Sequence, residues 1–216
     1  MKQKKTKKNK MNQEYLRNVN KAFDKKIIDD LKQQAKSDHI PIISDEGIHF
    51  LIQIIKILNA KKVLEIGTAI GYSSILMALF TNAKITSIER NEALFKQAEN
   101  NIKFAKLSDK ISLIFGDAND ISMEEEDFDL IFIDAAKASY IRFFEKFSKN
   151  LKTGGLVISD NLLFKGMVAH PEDIDSRHKK QLVKKIDRYN EFIVNHPDFD
   201  TYIYNIGDGL SISIKK

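Results

Sequence analysis

The chain has 216 residues, 43% hydrophobic and 30% charged, with a formal net charge of +5 and no cysteine. That length suits one domain with a sizeable core, and the lack of Cys excludes a disulfide framework, a thiolate zinc site, an iron–sulfur cluster and a cysteine nucleophile. No run approaches the ~18 apolar residues of a membrane span, and no apolar stretch follows the lysine-rich start, so a cytoplasmic protein with no membrane partner is expected.

The charge is uneven. Residues 1–10 carry six lysines (Lys2, Lys4, Lys5, Lys7, Lys8 and Lys10) and no acid, which leaves 29 basic against 30 acidic residues elsewhere. A like-charged run with nothing to bury predicts a disordered basic tail over 1–10, ahead of a folded domain over 11–216. The tail is either a solvated terminus or an arm that contacts nucleic acid. Residues 12–37 read as one helix, with Tyr15, Leu16, Val19, Phe23, Ile27, Ile28 and Leu31 at helical spacing. Pro41 follows a break. Ser44 and Asp45 then predict the cap of a second helix running to about Leu58, which makes 11–59 an N-terminal helical elaboration.

From residue 60 short apolar runs alternate with helical stretches. The runs are Val63–Ile66, Ile85–Ile88, Ile111–Phe115, Leu130–Ile133 and Leu156–Ser159, with helices expected at about 72–81, 91–106 and 138–150. A loop, a helix at about 176–195 and two strands near 200–205 and 209–215 follow, with Gly207-Asp208-Gly209 as the turn between them. Two strands so close in sequence pair as a hairpin. The predicted fold is therefore α/β: a Rossmann-like, seven-stranded, mostly parallel sheet with one antiparallel strand, helices on both faces and extra N-terminal helices.

Ligands of such sheets bind outside the carboxyl ends of the strands. Val63-Leu64-Glu65-Ile66-Gly67-Thr68-Ala69-Ile70-Gly71-Tyr72-Ser73-Ser74 reads as strand, glycine turn and helix start. Its G-x-x-x-G spacing is not the dinucleotide pattern and lacks the lysine of a phosphate-binding loop, while Gly67 and Gly71 allow close backbone approach. The second strand ends in Glu89, a carboxylate placed to accept ribose hydroxyls, and the third ends in Gly116-Asp117-Ala118, where an adenine edge fits. The fourth ends in Asp134-Ala135-Ala136-Lys137 and the fifth in Asp160-Asn161. Adjacent strands lie about 4.8 Å apart, so these tips can share a ligand. Two carboxylates and an amide oxygen, without Cys or His, favour magnesium or another hard divalent cation over zinc. Taken alone, Asp160-Asn161 also reads as a turn, and Lys137 as a surface lysine.

These strand ends resemble those of the cation-dependent S-adenosylmethionine (SAM) O-methyltransferases of the caffeoyl-CoA and catechol type, over roughly residues 40–216. The resemblance implies SAM as cofactor. It implies that Glu65, Gly67 and Gly71 surround its methionine part, with Ser73 at the carboxylate, where a helix N-terminus suits an anion. It further implies Glu89 at the ribose, Asp117 and Ala118 at the adenine, and Ile43 with Ser44 in a segment that closes over the cofactor. Asp134, Asp160 and Asn161 would hold the cation, and Asp134 would also border the cofactor. Lys137 would be the catalytic base, its pKa lowered by burial beside a cation. Family members are commonly dimers, so a homodimer is expected.

The acceptor needs two adjacent oxygens to chelate the cation. Catechols and hydroxycinnamoyl-CoA esters have them, and so does 5-hydroxyuridine; the chain is similar to bacterial tRNA 5-hydroxyuridine methyltransferases, which act at the wobble position. Two features favour a tRNA anticodon region as partner. One is the tail, with Lys4, Lys5, Lys7 and Lys8. The other is the 176–193 helix, where Leu182, Ile186, Tyr189 and Ile193 are expected to be buried and Arg177, Lys180, Lys184 and Arg188 form a basic stripe. A small-molecule methyltransferase and a non-catalytic RNA-binding module are the alternatives. The loop Leu162–Asp175 is expected to wall the acceptor pocket, Phe164 is either a stacking or a packing residue, and no histidine is assigned to metal.

Overall fold

The computed structural model describes residues 12, 14–16, 18–20, 23–123 and 127–216. The basic tail, with Lys4, Lys5, Lys7 and Lys8, lies outside them. The chain runs α1 (Lys26–Ser37), α2 (Asp45–Leu58), β1 (Lys62–Ile66), α3 (Tyr72–Phe80), β2 (Lys84–Glu89), α4 (Glu92–Phe104), β3 (Ile111–Phe115) and β4 (Phe128–Ile133). It continues through α5 (Tyr140–Phe147), β5 (Leu151–Ser159), α6 (Arg177–Val194), β6 (Phe199–Tyr204) and β7 (Leu210–Lys215).

The seven strands lie in the order β3-β2-β1-β4-β5-β7-β6. The first five pair in parallel; β7 runs antiparallel to both β5 and β6, the single reversed strand expected of a C-terminal hairpin. The connections step outward from β1 to β3 and then return to β4 on the other side of β1. The crevice at the carboxyl ends of β1 and β4 is thus the topological switch point.

Side chains of a strand alternate between faces. Val63, Leu130 and Phe132 enter one core with Leu31, Leu51 and Ile75 from α1, α2 and α3. Leu64, Ile66, Ile131 and Ile133 enter a second core with Phe143, Phe144, Tyr189 and Ile193 from α5 and α6. Burial on both faces explains why these strands read as mostly apolar runs, with Glu65 the polar exception within the Val63–Ile66 run of β1. No described helix is long and apolar enough to cross a membrane.

The expected helix over 12–37 is interrupted. Residues 23–25 are not helical, and Lys25 is extended before α1 begins. The Phe23 ring stacks on His49 at 3.8 Å and on Phe80 at 4.2 Å, a tertiary packing that a continuous helix would not supply. The helix expected over 138–150 is confined to α5, between 3-10 turns at Lys137–Ser139 and Ser148–Asn150. On α6 the buried face is Val183, Ile186, Tyr189 and Ile193. Leu182 is only half-buried, because the apolar stripe enters the core one residue later than its spacing suggests. Arg177, Lys180, Lys184 and Arg188 are all exposed.

Candidate active site

A cavity of about 380 Å³ opens at the carboxyl ends of β1, β2, β3 and β4. That is the size of a small-molecule or cofactor site. Gly67, Ser73, Glu89, Asp117, Ala118, Asp134, Lys137 and Asn161, read from separate stretches of sequence, all border it.

The turn after β1 is shaped by its glycines. Gly67 has φ +103°, and a Cβ there would lie 2.1 Å from the backbone oxygen of Asp134. Its bareness therefore lets the tips of β1 and β4 meet, a structural need rather than only an approach path for ligand. Gly71 sits at φ +85° as the residue before α3 and does not border the cavity. Ser73, in the first turn of α3, faces the cavity at a helix N-terminus, where unpaired N–H groups favour an anion.

Glu65 does not border the cavity. Its carboxylate points beneath the turn, where the hydroxyls of Ser73, Ser74 and Ser87 donate to it, and it is wholly buried. Burial pushes it up to about 7 despite the three hydroxyls. Its bonds hold the start of α3 against β1 and β2, and it stands behind Ser73 rather than in the cavity lining.

Glu89 is different. One carboxylate oxygen accepts from Ala69 N at 2.9 Å and the other from Asn91 N at 2.8 Å. These bonds fix the side chain while each oxygen keeps a lone pair for a ligand hydroxyl. Asp117 is held by Asn119 N, its side-chain amide and Arg90, which keep its carboxyl below the ordinary range. Ala118 is buried beside it. The ceiling comes from Ile40, Pro41, Ile42 and Ile43 ahead of α2, whose N-cap Ser44 accepts from Gly47 N at 3.0 Å. The family resemblance singled out Ile43 alone of these four apolar residues.

At the other end, β4 and β5 pair with Ile133 opposite Ser159, which brings the next residues, Asp134 and Asp160, abreast. Lys137 Nζ lies 3.5 Å from Asp134 Oδ1 and donates to Asn161 Oδ1 at 2.8 Å and to the Asp160 backbone oxygen at 3.2 Å. It also donates to the Tyr140 hydroxyl, which donates to the Asp160 backbone oxygen. Asp160 is nearly buried beneath Asn161, whose N–H it accepts. Burial, with the like charge of Asp134, pushes its carboxyl up to about 7. Burial lowers Lys137. Two crowded carboxylates against one ammonium leave an excess of negative charge among oxygen donors, which fits a hard divalent cation.

Sequence reasoning passed over two neighbours of this cluster. Tyr140 stands one helical turn after Lys137, a spacing that could have flagged it. Asp208 had only a turn assignment, though its charge acts on both Lys137 and Asp160. No residue of Leu162–Asp175 borders the cavity, so the wall expected of that loop is not found there; the cavity ends at Asn161, just before it. His170, Glu172 and Asp173 cluster in that loop, but all three are exposed and none borders the cavity.

A family model described as O-methyltransferase matches residues 18–216. The chain belongs to the O-methyltransferase family. This O-methyltransferase is 37% identical to a Staphylococcus aureus protein provisionally named a caffeoyl-CoA O-methyltransferase, whose crystal structure it matches with a TM-score of 0.86 over 96% of this chain and 98% of that one. It is 32% identical over 177 residues to a caffeoyl-CoA O-methyltransferase of Populus kitakamiensis, covering 78% of this chain and 75% of that one. An O-methyltransferase from Bacillus cereus, solved in complex with SAH, is 26% identical with a TM-score of 0.78, over 94% and 96% of the two chains.

Proposed function

We propose that this O-methyltransferase uses SAM and a hard divalent cation such as magnesium to methylate an acceptor that carries two adjacent oxygens. The observation that carries this reading is the cluster of Asp134, Asn161 and Lys137 at the end of a cavity whose other end holds Glu89 and Asp117, with Asp160 buried against Asn161. Glu89 would take the ribose hydroxyls, Asp117 and Ala118 the adenine, and the first turn of α3 the methionine carboxylate. Asp134, Asp160 and Asn161 would hold the cation. When bound, SAM supplies an electrophilic methyl group and the cation lowers the pKa of an acceptor hydroxyl. Lys137, partly stripped of water, receives the acceptor proton at Nζ, and its bonds to Tyr140 and Asn161 fix that nitrogen. Ile40–Ile43 exclude water from above. Much of the rate enhancement would come from alignment within this rigid frame.

The acceptor we propose is 5-hydroxyuridine in the tRNA anticodon region, because Arg177, Lys180, Lys184 and Arg188 form an exposed stripe on α6, which follows the loop leaving Asn161. A small catechol or hydroxycinnamoyl thioester is the second reading, favoured by relatives such as the Populus caffeoyl-CoA enzyme and a flavonoid 3',5'-methyltransferase of Vitis vinifera, 31% identical over 188 residues. Labelled SAM and magnesium, offered with 5-hydroxyuridine-containing tRNA or a catechol panel, separate the two. Transfer to catechols alone removes the RNA reading. Transfer undiminished by a chelator removes the cation. No transfer to either acceptor favours the non-catalytic alternative.

A further inference from the structure

The segment that leaves Asn161 carries more left-handed backbone than any other stretch described. Asn161 has φ 60°, and Phe164, Lys165 and Gly166 follow consecutively at 44°, 55° and 81°. Only Gly166 adopts this region freely; Phe164 and Lys165 meet steric resistance there, so neighbouring structure must hold them. Within the segment, Gly166 N donates to Leu163 O at 3.0 Å and Met167 N to Phe164 O at 3.0 Å. Those bonds close a local turn but do not anchor it to the sheet.

The anchor is the β6–β7 turn. Leu162 N donates to Gly209 O at 3.0 Å and Leu163 N to Asp208 O at 2.9 Å. The Asp208 carboxylate then reaches further out and accepts the N–H of Lys165, in the middle of the left-handed run. Gly209 makes the approach possible: a Cβ there would stand 2.8 Å from Leu163 N. The same turn touches the cofactor side, since a Cβ on Gly207 would stand 2.5 Å from Ser44 Oγ at the cap of α2. The Gly207-Asp208-Gly209 turn therefore sits between the segment that roofs the cavity and the loop that leaves the cation cluster.

We propose that Asp208 is a positioning residue that locks the Leu162–Val168 loop beside Asn161 and thereby sets affinity for the methyl acceptor. This rests on the reading that the acceptor binds beside Asp160 and Asn161. Asp208 acts through the Lys165 amide; without that acceptor the left-handed run is tied to the turn only through the backbone bonds at Leu162 and Leu163. Its bonds to Leu163 N and Lys165 N set Asp208 against the loop that leaves Asn161, and its charge acts on Lys137 and Asp160.

The test compares Asp208→Ala with Asp208→Asn in the full chain. The asparagine keeps an oxygen for the Lys165 N–H and removes the charge. Hydrogen–deuterium exchange reads the loop directly, without any need for activity. In Asp208→Ala, amides of residues 162–168 should exchange roughly tenfold faster while those of β5 stay unchanged. Steady-state kinetics then use catechol or 5-hydroxyuridine-containing tRNA, whichever the unaltered chain methylates. Asp208→Ala should raise the acceptor KM roughly tenfold, with kcat and the SAM dissociation constant within about twofold, and Asp208→Asn should return both exchange and KM most of the way. Unchanged exchange in Asp208→Ala overturns the proposal. So does a SAM affinity that falls as far as acceptor affinity, or an asparagine variant no better than alanine. Absence of transfer by the unaltered chain overturns the function proposed above, while the exchange result alone decides whether Asp208 holds the loop.

Discussion

Glu65 and Asp160 are both buried carboxylates near the carboxyl edge of one sheet, and both are pushed up to about 7. Their surroundings differ. Glu65 meets three serine hydroxyls and points away from the cavity. Asp160 meets Asp134, Lys137 and the Asn161 amide under the cavity floor. The cofactor end is thus complete as folded, its polar groups satisfied by backbone amides and hydroxyls. The end with Asp134 and Asp160 holds like charges that a divalent ion would reconcile. One fold can set a rigid binding half beside a half that is poised for charge.

The sharpest way to break this comparison is Asp160→Ala. Turnover with magnesium should fall by about a thousandfold or more, since no other side chain supplies that oxygen, while SAM affinity by calorimetry stays within about threefold. Equal loss of SAM binding would mean the two halves are not separable.

The pH dependence of stability probes both carboxylates. Glu65 has a folded pKa of about 7 against an ordinary 4.5, so the folded chain holds the extra proton between those values. Stability should be greatest below pH 4.5 on this account and fall as pH rises to 7, by at most about 3 kcal/mol. Denaturant unfolding across that window should show the slope flattening in Glu65→Gln. The part that remains belongs in the same direction to Asp160, and saturating magnesium should reduce it. A remaining slope indifferent to magnesium would count against a cation at Asp160.

A smaller effect is expected at the rim. Glu89→Gln leaves one carbonyl oxygen where two carboxylate oxygens accepted Ala69 N and Asn91 N. SAM affinity should weaken by about 2 kcal/mol, with the cation requirement unchanged. The smallest concerns the surface. Changing Arg177, Lys180, Lys184 and Arg188 together to Ala should leave SAM binding and catechol turnover intact and reduce the slope of log K against log salt for tRNA by roughly 3. An unchanged slope would assign the stripe to solvent alone.

Much of this molecule was legible locally. Alternating apolar runs and helical stretches announced a parallel sheet, the hairpin turn at Gly207–Gly209 announced the reversed β7, and acids at Glu89, Asp117, Asp134 and Asp160 marked strand ends. The errors fell where contacts between distant residues decide. Helix spacing carried Phe23 along with α1, but its ring is claimed by His49 and Phe80. The spacing on α6 chose Leu182, but the core took Val183.

The sequence by itself determined which residues end strands and which oxygens gather there, because burial writes its period into neighbouring side chains. Only the tertiary structure decided which ends meet. The strand order sets β1 beside β4 and β4 beside β5, and the register of Ile133 against Ser159 brings Asp134 level with Asp160. It turned Glu65 beneath the floor, tied Tyr140 to Lys137, and brought Asp208 to the loop after Asn161. Each of these depends on pairing and packing across 3 to 67 positions, and where the span is long no local periodicity can encode it.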